Sequence, residues 1–188
     1  MAVTSTAMTA DITTIWEKNT MGLLDGKVAL ITGAGGGLGE AYARLFARGD
    51  GGFGGPSEGQ PEPHKVPTRA PDNIIDISTR PDQALIYRLC GDRNPLHSDP
   101  EFARRAGFPR PILHGMCTYG LTCRGILQTY ADYDPSAFRQ HVARFSSPVY
   151  PGETVTMDLW KDGHVISFEA KVKARNASVI KSGKTVLG

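Results

Sequence analysis

A long amphipathic pattern in the second half of the chain constrains the fold more than any other feature. Apolar or small residues recur there three and four positions apart, at Met116, Tyr119, Gly120, Cys123, Ile126, Leu127 and Tyr130. This period is typical of a helix that buries one face. The stretch therefore predicts a long central helix, and the other elements must pack around it.

Alternating segments follow the helix. Apolar and polar residues alternate through 155–159 and again through 166–174, which is typical of half-buried strands. Residues 161–163 (K-D-G) favour a hairpin turn between them, and 141–150 and 178–187 are further strand candidates. One long helix followed by an antiparallel meander predicts an α+β architecture, the hot-dog fold, in which the sheet wraps the helix.

Shorter elements are predicted ahead of the helix. The stretch Asn73–Ser78 (N-I-I-D-I-S) favours a strand, and 81–89 favours a helix that leads into a polar loop. Asp99 followed by Pro100 is typical of an N-cap with proline in the first helical position, so a second short helix is expected over 100–106.

The polar loop between these two helices concentrates the proton-transfer groups of the chain. Asp92, Asn94 and His97 lie within one short segment that Pro95 stiffens. A loop of this length can direct a carboxylate and an imidazole at one water molecule. A purely structural interpretation is also open, because Asp and Asn before Pro are common turn formers.

Three sequence strings in this half of the chain carry a family resemblance. They are G-D-R-N-P-L-H-S-D-P-E-F-A from Gly91, P-I-L-H-G ending at Gly115, and R-F-S-S-P-V-Y-P-G-E-T from Arg144. Together they resemble the R-specific enoyl-CoA hydratases of the MaoC-like dehydratase family. From about Pro67 onward the chain is similar to the C-terminal half of the hydratase unit in the multifunctional enzyme of β-oxidation.

The resemblance implies both an activity and a site. The activity is a hydro-lyase that adds water reversibly to trans-2-enoyl-CoA and gives (R)-3-hydroxyacyl-CoA. Asp92 and His97 would be the catalytic pair, with Asn94 supporting them. Gly115 would present its backbone N–H to the thioester oxygen at the start of the central helix. Phe145 is expected to line the thioester or to pack in the core.

Other titratable residues are interpreted as structural. An imidazole at a helix start is most often a hydrogen-bonded structural group, so His114 is expected to be one. His64, His141 and His164 have no metal-like spacing. We therefore expect neither a metal nor a cofactor in the reaction.

The N-terminal part has a second resemblance. The run K-V-A-L-I-T (27–32), the glycines Gly33, Gly37 and Gly39, and a helical pattern over 38–47 are similar to the opening of a short-chain dehydrogenase. A dinucleotide site needs further strand–helix units, and none is predicted after Ala47. The Tyr-x-x-x-Lys pair of that family does not occur in the sequence either. Dinucleotide binding is therefore not expected, although an NAD(P)-dependent dehydrogenase remains an alternative function.

These observations predict four segments. Residues 1–20 are interpreted as a disordered extension, with Met21 a possible natural start, and 21–48 as a truncated Rossmann-like β-α fragment. Residues 49–67 are rich in glycine and proline and are interpreted as a flexible linker. Residues 68–188 are interpreted as the hot-dog hydratase domain. A second alternative function follows from this arrangement, namely a catalytically inactive remnant of a dehydrogenase–hydratase fusion.

Composition limits the partners and the compartment. The formal net charge of +2 is nearly balanced and gives no reason to expect nucleic acid or a membrane surface as a partner. Three cysteines without a C-x-x-C pair argue against a disulfide framework. With no secretion signal in the first residues and no peroxisomal ending, a cytoplasmic location is expected. The expected partners are an acyl-CoA thioester and a second copy of the chain in a homodimer.

Overall fold

The structure of the protein, a computed structural model, describes residues 62–188 in full and the backbone of 28–34 and 40–46. The chain divides into two compact units, Met1–Pro61 and Glu62–Gly188. The other predicted features of the first unit, including the 1–20 extension and the glycines Gly37 and Gly39, lie outside the described residues.

The described part of the first unit is a β-hairpin. Strand β1 (Val28–Ala34) pairs antiparallel with strand β2 (Glu40–Phe46) along its whole length. The strand predicted over 27–32 is confirmed for 28–32, the part of it that the structure describes. The helix predicted over 38–47, and with it the β-α fragment, is wrong for the described residues. A helix in this position would need a sheet on which to bury its apolar side, whereas in the hairpin residues 40–46 pair with β1 along its whole length.

The second unit contains five strands and three α-helices. In chain order they are β3 (Asn73–Ser78), α1 (Gln83–Tyr87), α2 (Pro100–Arg105), α3 (Gly115–Tyr130), β4 (Phe138–Phe145), β5 (Thr154–Asp162), β6 (Val165–Val172) and β7 (Ala177–Leu187). Short 3₁₀ turns follow α1 at Arg88–Cys90 and precede α2 at Pro95–His97. The predicted order of strand, short helix, loop, short helix, long helix and meander is confirmed.

The five strands form one antiparallel sheet in the order β3-β5-β6-β7-β4, which leaves β3 and β4 at its edges. The β5–β6 hairpin turns at Gly163, whose φ of +60° is a conformation that favours glycine. The turn lies one residue beyond the predicted K-D-G, because Asp162 still pairs with Val165. Strand β4 ends before its predicted limit at residue 150, since Pro148 has no N–H for the ladder.

Helix α3 packs across the sheet, but not with the predicted face. Its buried residues are Cys117, Thr118, Leu121, Thr122, Gly125 and Ile126. Of the predicted stripe only Ile126 is fully buried, while the Met116 side chain is 47% exposed. The reason is close packing: a Cβ on Gly125 would lie 2.8 Å from Ile75 and from Ile77 of β3. A glycine and two threonines bring the backbone nearer to the sheet than a row of large side chains would.

The core lies between α3 and the inner face of the sheet. The largest fully buried side chains there are Phe168, Ile126, Met157, Leu159, Ile166 and Ile180. Four of these six residues, Met157, Leu159, Ile166 and Phe168, are apolar positions of the alternating segments, so the two-residue period correctly identifies the inner face of β5 and β6. The hot-dog architecture predicted from the sequence is confirmed.

The segment before β3 belongs to this unit. The His64 imidazole lies 2.8 Å from the Ser167 hydroxyl, within hydrogen-bonding distance. The Trp160 indole N–H donates to the carbonyl of Arg69 at 2.8 Å. The last residues of the predicted linker, 62–67, therefore fold with the domain. Among the described residues no helix is both long and apolar enough to cross a membrane.

Candidate active site

The polar loop that follows α1 is built around Asn94. Its side-chain oxygen accepts the N–H of Leu96 at 2.9 Å and caps the 3₁₀ turn Pro95–His97. Its own N–H donates to Oδ1 of Asp92 at 3.2 Å. Asn94 therefore ties the Asp92 carboxylate to the turn that carries His97.

His97 ends the 3₁₀ turn and faces inward, with 8% of its surface exposed. Its Nδ1 lies 2.9 Å from the carbonyl oxygen of Ile112, which can only accept, so Nδ1 carries the proton. The neutral ring then keeps a lone pair on Nε2. A histidine held in this way can take a proton at Nε2 and later return it.

His114 lies directly against His97. The two imidazole rings are stacked with 3.7 Å between their centroids, and the ring of Tyr87 lies 4.7 Å from that of His114. Nε2 of His114 donates to the backbone carbonyl of Asp92 at 3.1 Å. Burial, together with the neighbouring His97, lowers the pKa of His114. The ring is therefore neutral at physiological pH.

These contacts bring three titratable side chains to one place. A carboxylate oxygen of Asp92, a ring nitrogen of His97 and a ring nitrogen of His114 all lie within 4.8 Å of one another. The carboxylate is on the solvent side, because Asp92 is exposed whereas both histidines are buried. The arrangement can hold one water between a carboxylate and an imidazole, as the sequence predicts.

The cluster has the composition of a metal site but not its geometry. Imidazole nitrogens coordinate along lone pairs that lie in the ring plane. The ring planes of His97 and His114 are only 27° apart and the rings are stacked, so these lone pairs run side by side and do not converge on one ion. As arranged, the three groups suit proton transfer.

The start of α3 forms the neighbouring wall. His114 is its N-cap residue and makes no side-chain cap, and the first intrahelical bond runs from the N–H of Thr118 to the His114 carbonyl. The preceding N–H groups, including that of Gly115, are left for a ligand. The Phe145 ring lies 3.6 Å from the position that a Cβ on Gly115 would occupy. An oxyanion bound at Gly115 would therefore lie beside an aromatic ring.

A small cleft is lined in part by His97. Its volume is about 180 Å³, and Leu85, Pro111 and Arg110 are among its lining residues. Arg110 places a cation at this rim, with its guanidinium 4.8 Å over the Tyr150 ring.

The structure brings together all five residues singled out from the sequence. Asp92, Asn94 and His97 share one loop, and Gly115 and Phe145 meet beside it. The residue whose place the sequence did not reveal is His114, which was expected only to be a hydrogen-bonded structural group. Seventeen positions separate His114 from His97, so their contact depends on how α3 folds back against the loop.

Comparison with known proteins identifies the domain. The MaoC-like domain family matches residues 63–182. Enoyl-CoA hydratase ChsH3 of Mycobacterium tuberculosis is 46% identical over 171 residues, which are 91% of this chain and 59% of that protein. The peroxisomal enoyl-CoA hydratase 2 of Arabidopsis thaliana is 44% identical over 145 residues, covering 72% of this chain and 47% of the relative.

A solved structure supports the same relation. The full-length peroxisomal multifunctional enzyme type 2 of Drosophila melanogaster superposes with a TM-score of 0.72 and 41% identity, covering 79% of this chain and 27% of that one. The chain thus spans less than two thirds of each of these relatives. The short-chain dehydrogenase resemblance lies outside the residues that the family match covers.

Proposed function

The chain belongs to the MaoC-like domain family, which matches it over residues 63–182, and from this premise we propose that it is an enoyl-CoA hydratase. The reaction is the reversible addition of water to a trans-2-enoyl-CoA to give a (R)-3-hydroxyacyl-CoA. The observation that carries the proposal is that polar side-chain atoms of Asp92, His97 and His114 lie within 4.8 Å of one another. This cluster lies beside the first turn of α3, whose backbone N–H groups have no intrahelical partner.

Two groups are required to activate water and to deliver a proton. In the proposed reaction Asp92 and Nε2 of His97 hold one water molecule. As its oxygen bonds to the β-carbon, the pair takes a proton from it, and a proton returns to the α-carbon, so the enzyme ends as it began. The bond from His97 Nδ1 to Ile112 at 2.9 Å supports this role, because it keeps Nε2 as the reactive nitrogen.

The negative charge that develops on the thioester oxygen needs a donor. The N–H of Gly115 at the start of the 16-residue helix α3 provides one, and the helix dipole adds to the stabilisation. Removing one such donor from an enzyme typically costs on the order of a hundredfold in rate. The Phe145 ring beside Gly115 would cover the thioester and exclude water from it.

We further propose that two copies of the chain pair through the edge strand β4. Val142 and Phe145 of β4 and Met116 of α3 are each 47% exposed. An apolar sheet edge beside a half-covered helix is a surface that proteins cover. A neighbour on this edge would add wall beside Phe145 and Gly115, where the thioester is proposed to bind.

The function is tested with crotonyl-CoA. Purified full-length protein should remove the absorbance of the conjugated enoyl thioester, and chiral analysis of the product should give the R alcohol. A folded protein that leaves crotonyl-CoA and longer enoyl-CoA substrates unchanged would contradict the proposal and favour the inactive remnant. Saturable binding of NADH to the same protein would instead favour the dehydrogenase alternative.

A further inference from the structure

His114 contacts both members of the proposed proton-transfer pair, Asp92 and His97. Its ring is 1% exposed and stacks on His97. Its Nε2 donates to the backbone of Asp92, and its own carbonyl accepts the first hydrogen bond of α3, immediately before Gly115. We infer that His114 is a positioning residue that fixes Asp92 and His97 relative to each other and to the N-terminus of α3. The inference rests on the proposed hydratase function.

The hydrogen bond to Asp92 matters because that residue is otherwise loosely held. Asp92 is exposed, and its side chain accepts only the 3.2 Å hydrogen bond from the Asn94 N–H among the hydrogen bonds of the described residues. The preceding Gly91 has a φ of +117°, a conformation that favours glycine, so no side chain holds the loop at that position. The bond from His114 to the Asp92 carbonyl therefore anchors the exposed end of the loop to buried structure.

The stacked ring restrains the second partner. His97 is held at Nδ1 by Ile112, which sets one edge of its ring, and the face of His114 at 3.7 Å prevents tilting toward the interior. Tyr87 lies on His114 in turn. A misplacement of about 1 Å in a proton-transfer group can cost on the order of a hundredfold in rate, so a restraint on both partners affects the chemical step.

The tautomer of His114 also suits this role. Because a carbonyl accepts from Nε2, the neutral ring carries no proton on Nδ1. That nitrogen is buried and has no hydrogen-bond partner among the described residues. A second proton would therefore be buried without an acceptor and placed beside His97. His114 stays neutral while the charge of proton transfer is carried by His97 and Asp92.

Two substitutions separate the hydrogen bond from the ring. His114→Phe keeps an aromatic ring against His97 but loses the donor to Asp92. His114→Gln keeps an N–H donor near the position of Nε2 but loses the ring. Each variant is compared with wild type for kcat and KM on crotonyl-CoA, for thermal unfolding, and for the hydrogen-exchange rates of the Asn94 and Leu96 amides by NMR.

We expect His114→Phe to lower kcat at least tenfold with KM within about twofold, because Asp92 acts on water and not on the bound thioester. Exchange at Asn94 should become faster, since its acceptor is Asp92. His114→Gln should recover most of the exchange protection and part of the lost rate, and the rest of the loss measures the missing ring against His97. Unfolding temperatures that stay close to wild type exclude a general loss of structure.

Other outcomes separate the two claims. Wild-type kcat and exchange in His114→Phe would overturn the positioning role, and equal losses in both variants would overturn the hydrogen bond to Asp92 as its means. If wild type does not hydrate crotonyl-CoA, the proposed function fails. The exchange rates then still decide whether His114 holds the loop.

Discussion

At the scale of single residues, two aspartates seven positions apart, Asp92 and Asp99, have different surroundings and different roles. Asp99 accepts the N–H groups of Glu101 and Phe102 at 2.8 and 3.1 Å and caps α2, as its sequence context predicts. These bonds lower the pKa of Asp99. Asp92 caps no helix, and its carboxylate faces solvent beside the two histidines. Local turn chemistry thus explains the first residue but not the second.

Substituting each aspartate separates the proposed proton transfer by Asp92 from the helix capping by Asp99. Asp92→Asn keeps the shape of the side chain but removes the base, so kcat on crotonyl-CoA should fall at least about a hundredfold. Asp99→Asn is the matched control, because asparagine caps helices as well as aspartate does, and both activity and unfolding temperature should be retained. Full activity of Asp92→Asn would remove Asp92 from the reaction.

A different, partly buried histidine, His141, is expected to contribute to stability against acid. His141 of β4 lies between the Thr122 hydroxyl at 3.0 Å and the Thr185 hydroxyl at 2.6 Å, and stacks on Phe168. Burial lowers its pKa from 6.5 to about 4. The folded protein therefore holds His141 neutral where the unfolded chain is protonated.

The sign of the pH effect follows from this difference. Between pH 6.5 and about 4 the unfolded state binds the extra proton, so the free energy of unfolding falls as the pH falls. The His141 contribution lost between pH 7 and pH 5 should be about 2 kcal/mol. Urea unfolding of wild type and His141→Gln at both pH values measures it, and the variant should lose less stability on acidification. Equal losses in both proteins would contradict the pKa shift.

At the scale of elements, two glycines of α3, Gly120 and Gly125, have opposite surroundings. Gly125 faces β3 and β5, where a Cβ would lie 2.8 to 2.9 Å from Ile75, Ile77 and Met157. Gly120 lies on the exposed side, and a Cβ there would meet nothing within 4 Å. The helix can approach the sheet closely only at the first position.

Alanine at each glycine should therefore act in opposite directions. Gly120→Ala should raise the free energy of unfolding by up to about 1 kcal/mol, because alanine favours helix without a new contact. Gly125→Ala gains the same propensity but overpacks the interface, which typically costs about 1–3 kcal/mol, so it should be less stable than Gly120→Ala. Chemical denaturation of the pair checks this, and a stabilised Gly125→Ala would show that β3 yields to the added methyl group.

At the scale of the whole molecule, the proposed dimer could form through either edge strand of the sheet, β3 or β4. The choice depends on which edge is both apolar and close to the candidate site. Both edges expose a β-branched residue, Ile74 on β3 at 58% and Val142 on β4 at 47%. Only β4 also brings Phe145 to Gly115 at the start of α3. Pairing through β4 would therefore cover the candidate site, whereas pairing through β3 would not.

Lysine at each edge tests the choice. Light scattering coupled to size-exclusion chromatography should give wild type about twice the 20.3 kDa chain mass. Val142→Lys should shift the protein to monomer and lower activity, since a lysine opposes edge pairing. Ile74→Lys, the control on the opposite edge, should remain dimeric and active. A monodisperse wild-type monomer with full activity would refute the pairing.

Patterns of neighbouring residues are sufficient for most of the fold. The alternation through 155–159 and 166–174 identifies the buried face of β5 and β6, because consecutive side chains in a strand point to opposite faces whatever lies nearby. The caps at Asn94 and Asp99 follow equally from bonds within a few residues. The closeness of Asp92 and His97 is also local, because they share one loop, whereas their interpretation as a catalytic pair depended on the family resemblance.

Contacts between distant segments were decided only by the tertiary structure. The sequence predicts that α3 is amphipathic, but its composition permits two faces, and the close approach at Gly125 to β3 selects one. The hairpin of β1 and β2 likewise replaces a helix that local propensity favours, because strand formation depends on pairing with residues outside the local stretch. His114 reaches Asp92 and His97 only because α3 begins against the loop. A local pattern cannot specify such a meeting, since its free energy comes from surfaces that are far apart in the chain.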